Sequence, residues 1–209
     1  MVVTGIKKID AKKSLVYLDE EPAFSLYKSE IRRYQIEEEK ELSHENYEQI
    51  LKVLLRRCRE RTAYLLGRSD KSERELRLKL VQGFYPEQII NTVVSEYLMM
   101  GYVDDYRYAS NYVKYHLSAK SRDRIILSLI AKGIDKEMIH EIMDGYELEN
   151  EDFRKQQNKI IEKEFVKRKY DFEHENKEML NKIVTSLCRK GFQYDDVKTV
   201  YQQLKENVN

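Results

Sequence analysis

The stretch LVQGFYPEQIINTV (residues 80–93) recurs 49 residues later as LIAKGIDKEMIHEI (residues 129–142). A third copy opens with LCRKGF at residues 187–192 and extends to residue 200. Glycine stands at residues 133 and 191 in the later copies and one place earlier, at residue 83, in the first. The corresponding apolar positions form four sets: Leu80, Leu129 and Leu187; Ile90, Ile139 and Val197; Val93, Ile142 and Val200; Tyr97, Tyr146 and Leu204. Such self-similarity is the signature of a repeat architecture.

Each copy has the pattern of a helical hairpin. Apolar residues recur every three to four positions on both sides of a short turn, which predicts two amphipathic helices. A longer helical pattern precedes each hairpin, at residues 45–67, 105–118 and 150–170. The chain is therefore predicted to be mainly α-helical, with three tandem three-helix repeats at residues 46–103, 104–149 and 150–209. One repeat buries too little surface to be stable alone, so we expect the repeats to stack into an elongated, curved array.

Residues with capping preferences mark several helix ends. Ser43 is a predicted N-cap, and Ser72 with Glu75 forms the S-x-x-E capping box. Pro86 suits the first helical position, and Gly101 supplies the left-handed turn that ends a helix. The helix boundaries are thus predicted independently of the apolar periodicity.

The first 45 residues have a different pattern and form a small β-rich N-terminal extension. Three β-rich runs at residues 2–6, 14–19 and 22–26 are separated by turn-like segments, which predicts a β-meander. A short helix is expected near residues 28–34. Because so few strands are not stable in isolation, this extension must pack on itself or on the following domain.

Composition excludes several classes of protein. The 209 residues include only 2 prolines and 7 glycines, which excludes collagen-like chains and disfavours a β-sandwich with many turns. With 41% hydrophobic residues and a net charge of +1, the chain has material for a core and is not wholly disordered. It contains no 18-residue apolar stretch, and its first 25 residues lack a signal-peptide core, so we expect a cytoplasmic protein with no membrane partner.

No motif for catalysis or for cofactor binding is present. The phosphate-loop, dinucleotide and GxSxG patterns are absent, and the four histidines are scattered. Cys58 and Cys188 stand far apart, which predicts neither a metal site nor a disulfide. The acidic pairs at residues 104–105 and 195–196 suit helix N-caps. We therefore expect a protein without catalytic residues, metal or cofactor.

Positive charge is concentrated in one segment. Residues 51–82 contain 10 basic and 4 acidic residues, a net charge of +6. A basic stripe of this kind is able to follow a phosphate backbone or an acidic protein groove. The alternative is a solvated helix face with pairs such as Glu73–Arg77. The candidates are Arg68, Lys71, Arg74, Arg77 and Lys79 in the first repeat, Lys120, Arg122 and Arg124 in the second, and, less well aligned, Lys182, Arg189 and Lys190 in the third.

Tyrosines cluster directly after the first repeat. Base stacking is one use for them, but we expect most to pack between repeats with the hydroxyl outward. They are Tyr102, Tyr106, Tyr108, Tyr112 and Tyr115.

Three motifs together resemble the RecX family of bacterial recombination regulators. They are SERELRxKL at residues 72–80, GYVDDxRYA at residues 101–109 and KGI at residues 132–134. The resemblance covers residues 46 to 205, and the β-rich extension is similar to that of RecX proteins from low-GC Gram-positive bacteria. The third repeat departs from the pattern through its acidic residues, so we expect weaker basic contacts there.

The resemblance implies a non-catalytic protein that binds the RecA–single-stranded DNA filament, and we expect the protein to be a monomer. The resemblance also implies inhibition of filament extension, of the RecA ATPase and of strand exchange. The family fold is three tandem three-helix repeats. Lys132, within the KGI motif, joins the candidates for contact with DNA or RecA.

Two other functions remain open from the sequence. One helix pair could act as a helix-turn-helix that reads duplex DNA without RecA, which predicts sequence-selective duplex binding. A purely structural helical scaffold predicts no binding to nucleic acid at low salt.

Overall fold

A computed structural model describes residues 1–149, 152–174 and 176–207. The chain divides into two compact units, residues 1–104 and 105–209. The first unit contains β1 (Val3–Lys8), β2 (Lys13–Leu18), β3 (Glu21–Tyr27), α1 (Lys28–Arg33), α2 (His44–Arg68), α3 (Glu73–Val81) and α4 (Glu87–Met99). The second contains α5 (Asp105–His116), α6 (Arg122–Ala131), α7 (Lys136–Glu149), α8 (Asp152–Lys167), α9 (Lys177–Arg189) and α10 (Tyr194–Glu206).

These elements confirm the predicted β-meander followed by three-helix repeats. The caps are also confirmed, because the Ser43 hydroxyl accepts a hydrogen bond from the Asn46 amide and Ser72 forms its capping box with Glu75. Pro86 is the N-cap of α4 and not its first helical residue, a shift of one position. The predicted third long helix begins at residue 150, where two residues lie outside the described part of the chain. No helix among the described residues combines the length and apolarity that crossing a bilayer requires.

The N-terminal sheet is built into the first repeat. Its antiparallel order is β1-β2-β3, so β1 and β3 are edge strands with backbone groups to satisfy. At the β3 edge, Ser25 donates from its amide to the Phe84 carbonyl at 3.2 Å and from its hydroxyl to the Gly83 carbonyl at 3.1 Å. At the β1 edge, the Val3 amide donates to the Lys40 carbonyl at 2.9 Å. One hydrophobic core therefore extends from the sheet into α2, α3 and α4. It crosses the predicted boundary between the N-terminal extension and the first repeat, at residues 45 and 46.

Burial confirms the alignment of the three repeats. Leu80, Leu129 and Leu187 are each 0% exposed. The next two aligned sets are also buried, and the last set is half-buried in every copy. Three hydrophobic clusters hold these residues, one in the first unit and two in the second. The sequence repeat is thus a repeat of packing.

The turn between the paired helices explains the displaced glycine. The left-handed position is Gly133 (φ 86°) in the second repeat and Gly191 (φ 87°) in the third, but Phe84 (φ 57°) in the first. A Cβ on Gly83 would lie 2.8 Å from the Tyr85 ring, so Gly83 is required for close packing. Phe84 therefore takes the strained conformation, and its carbonyl accepts the hydrogen bond from β3.

Within the second unit, the second and third repeats meet at Ser121. Its hydroxyl caps α6 by accepting from the Arg124 amide at 3.2 Å, and donates to the Lys190 carbonyl at 2.6 Å. Gly191 follows directly, and a Cβ there would lie 2.7 Å from the Ser121 hydroxyl oxygen. One serine thus ends the α9 turn and begins α6.

Replacing Gly191 with alanine is expected to destabilise the protein by about 2 kcal/mol or more, because left-handed strain adds to the clash with Ser121. Gly101 is the matched control, since it has φ 70° and a Cβ added there would meet nothing within 4 Å. Gly101→Ala should therefore lose about 1 kcal/mol of stability, from the left-handed backbone strain alone. Urea unfolding of both variants measures the difference, and equal losses would contradict the proposed contact.

Candidate nucleic-acid interface

The candidate cations of α3 differ in their surroundings. Arg77 is half-buried and bound within the fold, donating from Nε to Glu73 at 2.7 Å and from a terminal nitrogen to Asn91 at 2.6 Å. Arg74 is exposed, and Lys79 is exposed with only a 3.3 Å contact to Gln82. Arg74 and Lys79 are therefore available to an external anion, whereas the side chain of Arg77 is used within the fold, where it joins α3 to α4.

The last turns of α2 carry a group of residues that we call the Tyr64 cluster: Arg61, Tyr64 and Arg68. The guanidinium carbons of Arg61 and Arg68 lie 5.4 and 5.6 Å from the centre of the Tyr64 ring. Arg68 also donates to the Tyr64 hydroxyl at 2.8 Å, while the next candidate, Lys71, donates to the Ser69 hydroxyl at 2.8 Å. Sequence reasoning found Arg68 but missed the cluster, although the spacing of three and then four residues places all three side chains on one helix face.

Two candidates of the second repeat lie against tyrosines. Lys120 donates to the Tyr112 hydroxyl at 2.6 Å, and Lys132 lies 5.5 and 5.6 Å from the ring centres of Tyr108 and Tyr112. Burial raises the pKa of Tyr112, but hydrogen bonding, first from Lys120, and the charges of Lys120 and Lys132 together outweigh burial and leave that pKa below its ordinary value. Burial and these two lysines also lower the pKa of His116. The lysines therefore create a local positive potential.

The remaining candidates of the second repeat have opposite environments. Arg122 contacts Glu147 and lies 3.5 Å from Asp144, so it joins α6 to α7 within the fold. Arg124 is exposed, and its side chain forms no ion pair within the described part of the chain. Arg124 is thus available to an external anion, as Arg74 and Lys79 are in α3.

Aligning the caps Ser72 and Ser121 shows how far the basic pattern repeats. Lys71 and Lys120 each precede the cap and occupy equivalent positions. Arg74, in contrast, corresponds to Asp123, and Arg77 corresponds to an isoleucine. Apart from the lysine before each cap, the basic surfaces of the two repeats are therefore built from different positions.

The third repeat uses most of its candidates internally. Glu164, only 8% exposed, accepts from Lys190 at 2.6 Å and from Arg168 at 3.0 Å. Lys182 pairs with Glu178 at 2.6 Å, while Arg189 is exposed. A ladder of exposed lysines on α8, spaced by about one helical turn, is not among the candidates predicted from the sequence: Lys155, Lys159, Lys163 and Lys167. Their regular spacing by four was the available signal.

Glu164→Gln is expected to cost about 1–3 kcal/mol at pH 7, because two cations lose a nearly buried partner. The Lys190 hydrogen bond, opposed by burial, holds the pKa of Glu164 below its ordinary 4.5. A lowered folded pKa stabilises the protein above the unfolded pKa, and that stabilisation disappears as the pH falls through the folded value. The difference in free energy of unfolding between wild type and variant should therefore be smaller at pH 3 than at pH 7.

The control for Glu164 is Glu178→Gln, which removes an exposed pair of similar length. No measurable loss of stability is expected there. A Glu164→Gln variant as stable as wild type at pH 7, or a gap unchanged down to pH 3, would refute the assigned role.

The tyrosines after the first repeat are more exposed than predicted. Tyr102, Tyr106 and Tyr115 are 63%, 49% and 76% exposed, while Tyr108 and Tyr112 are half-buried in the second core. The expectation that most of the five are packed is therefore wrong for three of them. Helical periodicity separates buried from exposed faces, but the five positions span both faces of α5 and the loop before it.

Comparison with known proteins gives consistent matches. A family model described as "RecX, first three-helix domain" matches residues 58–96. The regulatory protein RecX of Clostridium botulinum (strain Alaska E43 / Type E3) is 30% identical over 98% of this chain and 94% of its own length. The regulatory protein RecX of Finegoldia magna is 28% identical over 96% of this chain and 98% of its own.

Solved structures give the same fold. A crystal structure of a regulatory protein RecX has a TM-score of 0.63 and 18% identity, covering 96% of this chain and 98% of that chain. RecX from Lactobacillus salivarius has a TM-score of 0.61 and 23% identity, covering 72% of this chain and 96% of that chain. At these identities the likeness concerns the fold alone.

Proposed function

This chain belongs to the RecX family of regulatory proteins, and from that premise we propose that it is a negative regulator of RecA. It binds the RecA–single-stranded DNA filament and inhibits filament extension, ATP hydrolysis and strand exchange. It acts in the cytoplasm, as a monomer and without catalysis of its own. The observation that carries the proposal is the near-full-length match to regulatory RecX proteins.

Exposed cations on second helices of the repeats support this function. Arg74 and Lys79 on α3, and Arg124 on α6, present positive charge to solvent. Phosphate groups of the DNA, or acidic loops of RecA, are suitable partners for such charges. Lys71, Lys120 and Lys132 add to the local potential, while Arg77 and Arg122 hold their helices in place.

The overall charge favours the filament over bare DNA as the target. The whole chain has a net charge of only +1, so long-range attraction to a polyanion is weak despite the basic segment. Contacts with RecA would supply the additional free energy of binding. Affinity should therefore be highest where DNA and RecA are presented together.

Fluorescence anisotropy with three labelled targets tests the proposal. A random single strand, a random duplex and a RecA-coated single strand are titrated with the protein at equal salt. We expect the tightest binding to the RecA-coated strand and no sequence preference on duplex. Tight, sequence-selective duplex binding without RecA would instead establish the helix-turn-helix alternative. Absence of binding to all three targets at low salt would indicate a purely structural scaffold.

A further inference from the structure

The Tyr64 cluster combines an exposed aromatic ring with two cations. Tyr64 is 52% exposed, although Arg61 and Arg68 both lie within 5.6 Å of the ring centre. The ring is not part of the hydrophobic core of the first unit, whose buried members on α2 are Ile50, Leu54, Cys58 and Leu65. Packing of the fold therefore does not account for a tyrosine at this position.

The same position carries an exposed tyrosine in the second repeat. In both repeats the aligned tyrosine of the third helix donates from its hydroxyl to a carbonyl of the first helix, which is that of Arg59 in the first repeat and of Ser110 in the second. Tyr64 and Tyr115 each stand five residues after that carbonyl, so the first helices match at an offset of 51 residues, two more than the hairpins. Tyr115 is 76% exposed. Two exposed tyrosines at matching places on the first helices indicate a shared use outside the core.

The chemistry of the cluster fits an unpaired nucleobase beside its phosphates. Every base has an aromatic face that stacks on a tyrosine ring, and guanidinium groups neutralise the neighbouring phosphates. The cluster also lies in the segment of residues 51–82, which has a net charge of +6. Bases in a duplex are already stacked on one another, so this arrangement favours a single strand. An acidic protein surface would use the arginines but would not need an exposed ring.

We propose that Tyr64 is a stacking platform for a base of single-stranded nucleic acid, with Arg61 and Arg68 contacting the flanking phosphates. This inference rests on the proposed function, because it assigns the DNA-contacting site of the regulator. Arg68 then changes partner on binding, from the Tyr64 hydroxyl to a phosphate. Binding should be independent of base sequence and strongly dependent on salt.

A single tryptophan makes the stacking directly observable. The chain contains no tryptophan, so Tyr64→Trp introduces a unique indole whose fluorescence a stacked base quenches. Tyr194→Trp is the matched control, since Tyr194 is 58% exposed and is followed by Asp195 and Asp196. We expect an unlabelled single strand to quench the Tyr64→Trp emission, with little quenching by duplex and none of the control.

Affinity measurements on single-stranded oligonucleotides distinguish the contribution of the Tyr64 ring to binding from that of the two arginine charges. Tyr64→Ala should weaken binding roughly tenfold, whereas Tyr64→Phe should retain it, because the ring supplies the stacking. Replacing both Arg61 and Arg68 with glutamine should lower the slope of log affinity against log salt by roughly 1.4, since each lost phosphate contact on a single strand removes about 0.7.

Several results would overturn this assignment. They are wild-type affinity in Tyr64→Ala, equal quenching by single strand and duplex, and absence of single-strand binding by the wild type at low salt. Parallel measurement of the RecA ATPase separates the inference from the proposed function: inhibition by the wild type upholds the function even if stacking fails. Loss of that inhibition in Tyr64→Ala, with unchanged affinity for the single strand, would make the cluster a protein contact and refute the inference.

Discussion

Reversing Arg74, Lys79 and Arg124 to glutamate is expected to weaken binding to RecA-coated single-stranded DNA by roughly tenfold or more near 0.1 M salt. All three side chains are exposed, so the charge changes while the core does not. If all three face phosphates, the slope of log affinity against log salt should also fall by roughly 2. Arg77 and Arg122 are left intact, because their contacts with Asn91 and Glu147 hold helices together.

The control for this reversal is Lys7, Lys8 and Lys12 changed to glutamate. These lysines are also exposed, on and beside β1, and the variant has the same change in net charge. Both variants should melt like the wild type by circular dichroism. Equal weakening by the two variants would show that only net charge matters, and unchanged binding by the first would remove these cations from the interface.

Truncating Leu129 to alanine is expected to destabilise the protein by about 3 kcal/mol, because the side chain is fully buried and leaves a cavity. Leu127, two residues earlier in α6, is 59% exposed, and its truncation should cost less than about 0.5 kcal/mol. The first repeat offers the same pair on α3, with Leu80 at 0% and Leu78 at 51% exposure. Urea unfolding of the four variants measures both differences.

The leucine pairs test the repeat alignment itself. In the third repeat, Leu187 occupies the buried position and Thr185 the exposed one. Leu187→Ala should therefore resemble Leu129→Ala and not Leu127→Ala. Similar losses of stability on truncating the two leucines of one pair would mean that the assignment of buried and exposed positions in that helix is wrong.

Local signals in the sequence predicted most of the fold. Apolar periodicity and caps such as Ser72 and Ser43 involve residues within four positions of one another in the chain. These local signals predicted the helices and the residues at which they begin. The contact of Ser25 with the Gly83 carbonyl joins residues 58 positions apart, and no local pattern encodes it. Phe84 in the left-handed position follows from that long-range contact together with the close packing at Gly83.

The candidate site was predicted less completely for the same reason. Sequence identified Arg77 and Arg122 as cations but could not show that Asn91 and Glu147, distant in the chain, hold their side chains. It also counted Arg61 only as part of a basic segment. The exposure of Tyr64 required knowledge of which face of α2 is buried.

The rate of ATP hydrolysis by RecA on single-stranded DNA tests the claim that this protein regulates RecA. Purified protein is added to preformed filaments, and phosphate release is followed over a range of concentrations up to a molar excess over RecA. The expected result is a concentration-dependent fall in the hydrolysis rate. An unchanged rate across that range, with the protein shown to be folded, would contradict the claim.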